Sequence, residues 1–314
     1  MYVFAMEDKR SPSSARTRSA ALSRRNPMPS EVTTRPAPKE ARDVRVLVLT
    51  GYGLNCEAET AAGFSRAGAT VDLVHLSEIL DRGARADALA GYHILAFIGG
   101  FSFGDHIQSG RVFANRLRFR LGEALCRFVD DGGLALGVCN GFQTLVCLGL
   151  LPGVSRARGT PLAAQQAALV HNDRLGYFDT WVKLAVDTES PCVWTRGIGP
   201  TIEMPSRHGE GKLLFLDDSL RDEILASRLV PVRYADASGA PTEVWPDNPN
   251  GSPDGVAGLC DPTGRIFGLM PHPDAYLYPE NHPDWIRQHD AGALPAAGLG
   301  LRIFENGVRA ALAG

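Results

Sequence analysis

The sequence predicts an α/β fold built on a doubly wound, mostly parallel sheet with small antiparallel β additions. Between residues 44 and 149, short apolar runs rich in β-branched residues alternate with longer segments of helical periodicity. That alternation is typical of parallel strands whose two faces are covered by helices. Glycines follow several of these runs, which indicates tight turns between strands and helices. After Pro152 the helical periodicity gives way to short β-rich segments separated by turn residues.

The first half of the chain supplies the parallel strands and the helices that connect them. The longest predicted helix places its apolar side chains on one stripe, as a helix packed on a sheet does. Gly68 and Gly149 follow two of the helices, as expected for C-terminal caps. Strands are predicted over residues 44–50, 70–75, 94–98 and 134–138, and helices over 57–67, 111–131 and 140–148.

The second half is predicted to extend this sheet and to form a small antiparallel sheet. Its β-rich segments cover residues 169–170, 177–186, 213–215, 229–234, 256–260 and 266–270. No repeat or linker interrupts residues 44–285, so we expect one domain there, although 314 residues would suggest two. Residues 286–314 are predicted as a C-terminal extension with a helical pattern from Leu301 to Leu312.

Residues 1–43 differ in composition and are predicted as a disordered, basic N-terminal extension. Between Lys9 and Ser30 there are six basic residues and no acidic ones, together with several Ser and Pro. Such a segment cannot bury enough apolar surface to fold by itself. A transit peptide and a translation start at Met28 remain alternatives.

Composition and charge exclude several classes of protein. With 32 Lys+Arg, 35 Asp+Glu and a net charge of -3, the chain has no global positive field, which disfavours nucleic-acid binding. It has no run of 18 apolar residues, so no membrane span is expected. Six cysteines without Cys-x-x-Cys spacing argue against a zinc ribbon, and no metal site is expected. Since no signal peptide is evident, we expect reduced thiols in the cytoplasm, with disulfides as the alternative.

The pentapeptide Gly137-Val138-Cys139-Asn140-Gly141 lies where a predicted buried strand meets a helix. A G-x-Cys-x-G turn at such a corner lifts a nucleophile out of the sheet, and its glycines avoid a clash between the two backbones. The helix N-terminus directs amide donors and its positive dipole end toward the sulfur, which favours the thiolate. The alternative is a buried structural cysteine beside a glycine-rich turn.

Two further segments complete the arrangement that a thiol nucleophile needs. His272 leaves a strand end between Pro271 and Pro273, and Asp274 can present a carboxylate to its imidazole. Gly99 and Gly100 follow the third strand, where paired glycines can expose backbone N–H groups as an oxyanion hole. Taken separately, each segment is equally compatible with an ordinary turn.

Together, these segments resemble the class I glutamine amidotransferases, and their details resemble the glutaminase components of phosphoribosylformylglycinamidine synthase. The resemblance covers about residues 44–285 and implies a flavodoxin-like sheet with a nucleophile elbow. Six ordered motifs carry it: residues 53–57 (GLNCE), 99–105 (GGFSFGD), 137–143 (GVCNGFQ), 208–211 (HGEG), 248–252 (NPNGS) and 270–273 (MPHP).

The resemblance implies a role for each matched residue. Cys139 would attack the carboxamide carbon of glutamine, His272 would transfer protons, and Asp274 would orient the imidazole. Backbone N–H groups of Gly100 and Asn140 would stabilise the oxyanion. Contacts to bound glutamine would come from Gly99, Phe101, Gln143 and His208. The chain departs from the family at Asp274, where Glu is usual, and at Ile98, where Pro is usual.

The resemblance also implies partners. No phosphate-binding loop is present, so this chain is expected to bind no cofactor, with ATP and Mg placed on a separate synthetase subunit. That subunit would receive ammonia and aminate formylglycinamide ribonucleotide in purine biosynthesis, and a small bridging subunit is left open. Segments 175–181 and 208–211 are either part of that interface or ordinary sheet and turn.

Three other functions remain as alternatives. A cysteine peptidase-like hydrolase is disfavoured because that branch usually has His after the nucleophile, where this chain has Asn140. A related amidotransferase with another acceptor is the second. A non-catalytic scaffold that retains the fold is the third, and the Asp274 substitution keeps it open.

Overall fold

The computed structural model describes residues 35–82 and 88–314, in which eleven strands and seven α-helices occur. The strands are β1 (Arg45–Thr50), β2 (Thr70–His75), β3 (Ile94–Phe97), β4 (Leu134–Val138), β5 (Ala167–His171), β6 (Phe178–Val186), β7 (Thr201–His208), β8 (Glu210–Phe215), β9 (Val232–Ala235), β10 (Val256–Cys260) and β11 (Ile266–Leu269). The helices are α1 (Glu57–Arg66), α2 (Leu76–Arg82), α3 (Arg111–Asp130), α4 (Asn140–Cys147), α5 (Asp218–Ala226), α6 (Trp285–Asp290) and α7 (Leu301–Ala313).

Nine of these strands form one sheet in the order β2-β1-β3-β4-β11-β10-β9-β6-β7. The pairs from β2 to β11 are parallel, and the pairs from β11 to β7 are antiparallel. Strands β5 and β8 pair separately as a two-stranded antiparallel sheet. The predicted α/β class, the mostly parallel core and the small antiparallel additions are therefore confirmed.

The parallel strands form the buried centre of the molecule. All residues of β3 and β4 are buried, and the apolar stripe of α3 is buried with them. Strands covered on both faces have no solvent-facing positions, which explains why their sequences are continuous apolar runs. Among the described residues, no helix is long and apolar enough to cross a membrane.

The C-terminal helix α7, where a helical pattern was predicted, packs against the same core. The rings of Phe64 in α1 and Phe304 in α7 meet edge to face with centroids 4.9 Å apart. The Asn306 amide donates to the carbonyls of Trp194 and Arg196 at 2.9 and 2.8 Å. These buried hydrogen bonds tie the end of the chain to the loop before β7.

The boundary predicted for the N-terminal extension needs correction. Residues 1–34 of the predicted extension lie outside the described part of the chain, but residues 35–43 pack on the domain. The Arg35 guanidinium lies 4.5 Å from the centroid of the Phe128 ring, and the Pro36 carbonyl lies 2.9 Å from His93 Nε2. The domain therefore includes residues that were assigned to a disordered segment, whereas the predicted boundary at 285 stays a prediction.

Helix α2, helix α5 and strand β7 were not predicted. Helix α2 spans seven residues, too few for helical periodicity to be recognised. Helix α5 has a side-chain cap, in which Asp217 accepts from the Leu220 N–H at 2.8 Å, and this capping residue was a usable signal. Strand β7 contains Pro205, which is normally excluded from central strands but is tolerated here because β7 is the edge of the sheet.

Candidate active site

Cys139 lies on the sharp corner between β4 and α4. Its backbone has φ 51° and ψ -108°, a conformation that costs a non-glycine residue about 1–3 kcal/mol and lifts the side chain out of the sheet. A Cβ at Gly141 would lie 1.9 Å from the Phe97 carbonyl oxygen, and one at Gly137 would lie 2.8 Å from the Gly141 carbonyl oxygen. Gly137 is therefore required by the close approach of β4 and α4, as the sequence pattern predicted, and Gly141 by the close approach of α4 to Phe97 at the end of β3.

His272 follows β11, the strand parallel to β4, so both side chains leave neighbouring strand ends. The His272 N–H donates to the Pro205 carbonyl of β7 at 2.7 Å, which fixes the backbone of the loop. His272 Nδ1 lies 3.2 Å from Asp274 Oδ1, and the two side chains are only 4% and 0% exposed. This buried pair is the orienting contact that a general base requires.

Burial and charge act in opposite directions on the His272–Asp274 pair. Burial lowers the pKa of His272, but the charge of Asp274 and its hydrogen bond outweigh burial, with help from the thiols of Cys139 and Cys56. The pKa of His272 is therefore raised well above 6.5. Burial raises the pKa of Asp274, yet the charge and hydrogen bond of His272 lower it below its usual value. The pair thus favours an imidazolium held against a carboxylate.

Gly100 and Asn140 are the residues whose backbone N–H groups were predicted as oxyanion donors, and that role stays a prediction. Gly100 has φ 135°, and a Cβ there would lie 2.6 Å from Leu54 Cα, so only glycine fits. Asn140 begins α4, where the first backbone N–H groups lack partners within the helix. Its side chain donates to Asp105 Oδ1 at 3.1 Å and to Gln143 Oε1 at 3.2 Å, which rigidifies the corner.

A cavity of about 420 Å³ opens above Cys139 and His272. Among the described residues it is lined by Asn55, Cys56, Glu59, Gly100, Phe101, Asp105, Ser109, Cys139, Gln143, His171, Gly176, Tyr177, Arg207, His208, Gly209, Glu210 and His272. Its volume lies at the small end of ligand pockets and suits a ligand of amino-acid size. Residues from the parallel half of the sheet and from the antiparallel half therefore both lie around the thiol of Cys139.

The four residues predicted to bind substrate take different places around this cavity. Phe101, Gln143 and His208 line it, and Phe101 is half exposed at its mouth. Gly99 lies behind His272 instead, because a Cβ there would come within 2.8 Å of His272 Cε1. His208 is buried against the Ser206 hydroxyl at 3.0 Å, and burial, assisted by His272, lowers its pKa to about 3. His208 is therefore neutral at neutral pH.

Sequence reasoning gave no role to several residues at this site. Cys56 lies beside His272, and burial raises the pKa of its thiol despite a hydrogen bond to His272. Its Sγ, a His272 ring nitrogen and an Asp274 oxygen lie within 4.8 Å of one another, close enough to share an ion. Arg207 and Glu210 line the cavity from β7 and β8. The motifs around Cys56 and Glu210 were recognised, but nothing local marked Arg207.

The chain matches the family model of the CobB/CobQ-like glutamine amidotransferase domain over residues 43–309. It belongs to this glutamine amidotransferase family. Among its relatives is the phosphoribosylformylglycinamidine synthase subunit PurQ of Dehalococcoides mccartyi, 40% identical over 267 residues that cover 85% of this chain and 97% of the relative. The PurQ subunit of Methanococcus maripaludis strain S2 is 39% identical over 271 residues, covering 84% and 96% of the two chains.

A solved structure supports the same relationship. A chain in the structure of PurLQS from Thermotoga maritima superposes with a TM-score of 0.60 at 25% identity, covering 85% of this chain and 98% of the other. The family assignment and the fold therefore agree. The resemblance inferred from the six motifs is confirmed.

Proposed function

We propose that this chain is the glutaminase component of a phosphoribosylformylglycinamidine synthase in purine biosynthesis. The observation that carries the proposal is the conjunction of Cys139 on its strained corner with the buried His272–Asp274 pair, in a chain related to PurQ subunits along nearly their whole length. The reaction class is amide hydrolysis through a covalent thioester. No observation favours the scaffold alternative, since the parts needed for catalysis lie around one cavity.

The first step forms the thioester. Cys139 Sγ, as thiolate, attacks the carboxamide carbon of glutamine, and the carbonyl π bond breaks to give a tetrahedral oxyanion. The backbone N–H groups of Gly100 and Asn140 would stabilise that charge, and losing one such donor typically costs about 10²–10³ in kcat. The imidazolium of His272 then gives its proton to the departing nitrogen, and ammonia leaves as the C–N bond breaks.

The second step releases glutamate. Neutral His272 takes a proton from water, which attacks the thioester carbon and forms a second tetrahedral oxyanion at the same position. The C–S bond then breaks, returning the Cys139 thiolate and the protonated imidazole. Asp274 holds the ring so that Nε2 stays available throughout. Because Asp274 contacts Nδ1, Nε2 is the ring nitrogen left to serve the reacting groups.

We propose that the ammonia passes to a separate synthetase subunit that binds ATP and Mg and aminates formylglycinamide ribonucleotide. This chain binds no cofactor of its own in that scheme. The related PurLQS structure supports a partner of this kind, and a small bridging subunit belongs to the same proposal. Leu175 is 96% exposed beside Gly176 and Tyr177 of the cavity, which suits segment 175–181 to the interface. The proposed location is the cytoplasm.

The first test measures glutamate release from glutamine by the chain with and without the synthetase subunit. Cys139→Ala should abolish release. Cys147→Ala is the matched control, because Cys147 is a buried thiol on the same helix that does not line the cavity. Equal glutamate release by wild type and Cys139→Ala would show that Cys139 is not the nucleophile.

The second test measures amination of formylglycinamide ribonucleotide by the assembled complex. We expect the wild-type complex to use glutamine, and the Cys139→Ala complex to use only added ammonia. Amination with ammonia but never with glutamine in the wild-type complex would refute the proposed role.

A further inference from the structure

Glu210 stands at the cavity wall next to the nucleophile's helix, although the proposed reaction gives its carboxylate no task. It begins β8, and its backbone carbonyl accepts from the Gln143 side-chain amide at 2.7 Å. Gln143 lies in the first turn of α4, and it lines the same cavity of about 420 Å³ as Cys139 and Glu210. The amide carbon and α-nitrogen of an extended glutamine are four bonds, about 5 Å, apart. A glutamine attacked at Cys139 can therefore extend within this cavity with its α-nitrogen toward the wall formed by Glu210.

The Glu210 carboxylate is held but retains acceptor capacity. Its side chain is 19% exposed, Oε2 accepts from the Ser109 N–H at 3.3 Å, and Oε1 lies 3.5 Å from His171 Nδ1. A carboxylate can accept about four hydrogen bonds, so lone pairs remain for a further donor. The imidazole of His171 is 80% exposed, and its contact is long, so a bound cation can displace it.

The other two carboxylates of the cavity suit an ammonium group less well. The oxygens of Asp105 already accept from the Asn140 side chain and interact with Ser109 and Gly110 at the start of α3 and α4. Burial also raises the pKa of Asp105, which makes its charged form less favourable. Glu59 is exposed on α1 at the rim of the cavity. An exposed carboxylate gains little from pairing with a cation, because water screens the charge.

We infer that Glu210 binds the α-ammonium group of glutamine and so makes the site specific for an α-amino acid amide. The inference rests on the proposed glutaminase function and adds a specificity residue to it. A partly buried carboxylate that meets an ammonium group forms a charge-assisted hydrogen bond, which is about twice as strong as a neutral one. Gln143, tied to the Glu210 backbone, links this subsite to the nucleophile's helix.

The test compares glutamine with glutaramate, the same amide without its α-amino group, in the chain assayed with its synthetase subunit. Wild type should prefer glutamine, and Glu210→Gln should lower kcat/KM for glutamine about 10- to 100-fold, mostly through KM. Hydrolysis of glutaramate should change less than about twofold, since that substrate lacks the group that Glu210 binds. Glu223→Gln, the same change at an exposed carboxylate on α5 that does not line the cavity, should leave both substrates unaffected.

Three outcomes would overturn the inference. Equal kcat/KM of wild type for both substrates would mean that no ammonium subsite exists, and this result needs no variant to fold. Equal losses on both substrates in Glu210→Gln would mean that Glu210 only supports the structure. Loss of glutamine specificity in Glu59→Gln, with Glu210→Gln unaffected, would assign the ammonium group to Glu59. Absence of glutamate release by wild type with its partner would reject the proposed function itself, which is a different failure.

Discussion

Replacing Asp274 with Asn tests the proposed catalytic pair at a position where the resemblance to class I glutamine amidotransferases implies Glu. The change keeps the size of the side chain and removes its charge, in a place where Asp274 is 0% and His272 4% exposed. Asp274 is what raises the pKa of His272 against the opposing effect of burial. Without that charge the imidazole loses both its proton at neutral pH and its fixed orientation. We expect kcat to fall about 10²- to 10⁴-fold, the usual contribution of an oriented general acid–base.

The assay is steady-state glutamate release as a function of pH, in complex with the synthetase subunit. In Asp274→Asn the basic limb of kcat/KM should move to lower pH, because burial still lowers the pKa of His272 while the charge that most raises it is gone. Asp274→Glu, which restores the usual residue of the family and keeps the charge, should retain far more activity than Asp274→Asn. A kcat within about twofold of wild type in Asp274→Asn, with an unchanged pH profile, would remove Asp274 from the mechanism.

The same pair makes a contribution to stability that depends on pH. The folded-state pKa of His272 is raised, so its contribution is present below 6.5 and is lost as pH rises through the folded value. The folded-state pKa of Asp274 is lowered, so its contribution is present above 3.8 and is lost as pH falls through the folded value. Asp274→Asn should therefore lower the urea midpoint most between pH 3.8 and 6.5, and by less once the pH exceeds the raised folded-state pKa of His272.

Three further variants test packing and burial. Gly141→Ala should lower the free energy of unfolding by about 1–3 kcal/mol and reduce glutaminase activity, because the added Cβ meets the Phe97 carbonyl. The control is Gly122→Ala, whose added Cβ has no atom within 4 Å; it should be neutral or stabilising in urea unfolding. Gly307→Ala should lower the midpoint without changing KM, since its Cβ would lie 2.2 Å from Trp194 Cζ3, far from the cavity; an unchanged midpoint would contradict this contact. The free energy of unfolding should fall as pH decreases from 6.5 toward 3, because unfolded His208 takes up a proton that the buried ring cannot. His208→Asn should reduce the slope of that fall by the contribution of one proton, as measured by urea denaturation at several pH values.

The parts of the fold that could be predicted are those with a local cause. Strand β4 was predicted at its observed bounds, since a buried parallel strand must be apolar throughout. Strand β2 was also predicted at its observed bounds, although it lies at the sheet edge and only one of its residues is buried. Helix α3 was predicted within one residue because twenty residues give its apolar stripe room to repeat. Strand β7 was missed because Pro205 is acceptable only at a sheet edge, and the position of a strand in the sheet depends on pairing partners distant in sequence.

In the candidate site, too, residues with a local sequence signal could be predicted, and residues placed by distant strand pairing could not. Cys139, His272 and Asp274 were recognised because glycines and prolines around them constrain the local backbone. Arg207 lies between Pro205 and Gly209 but outside the recognised segment 208–211, and its place at the cavity follows from the pairing of β7 with β6. Contacts of this kind depend on strand order, which a single sequence leaves open.

Strand β7 also shows why the antiparallel half is required for the chemistry. Its backbone makes three contacts with the candidate site: the Pro205 carbonyl accepts from the His272 N–H at 2.7 Å, Ser206 bridges to Pro271, and the Arg207 carbonyl lies 3.7 Å from Cys139 Sγ. A proline at this position donates no hydrogen bond, yet its carbonyl is what anchors the histidine. The nucleophile comes from the parallel half and the anchor of its base from the antiparallel half. The orientation of Cys139 toward His272 is therefore a property of the whole nine-stranded sheet.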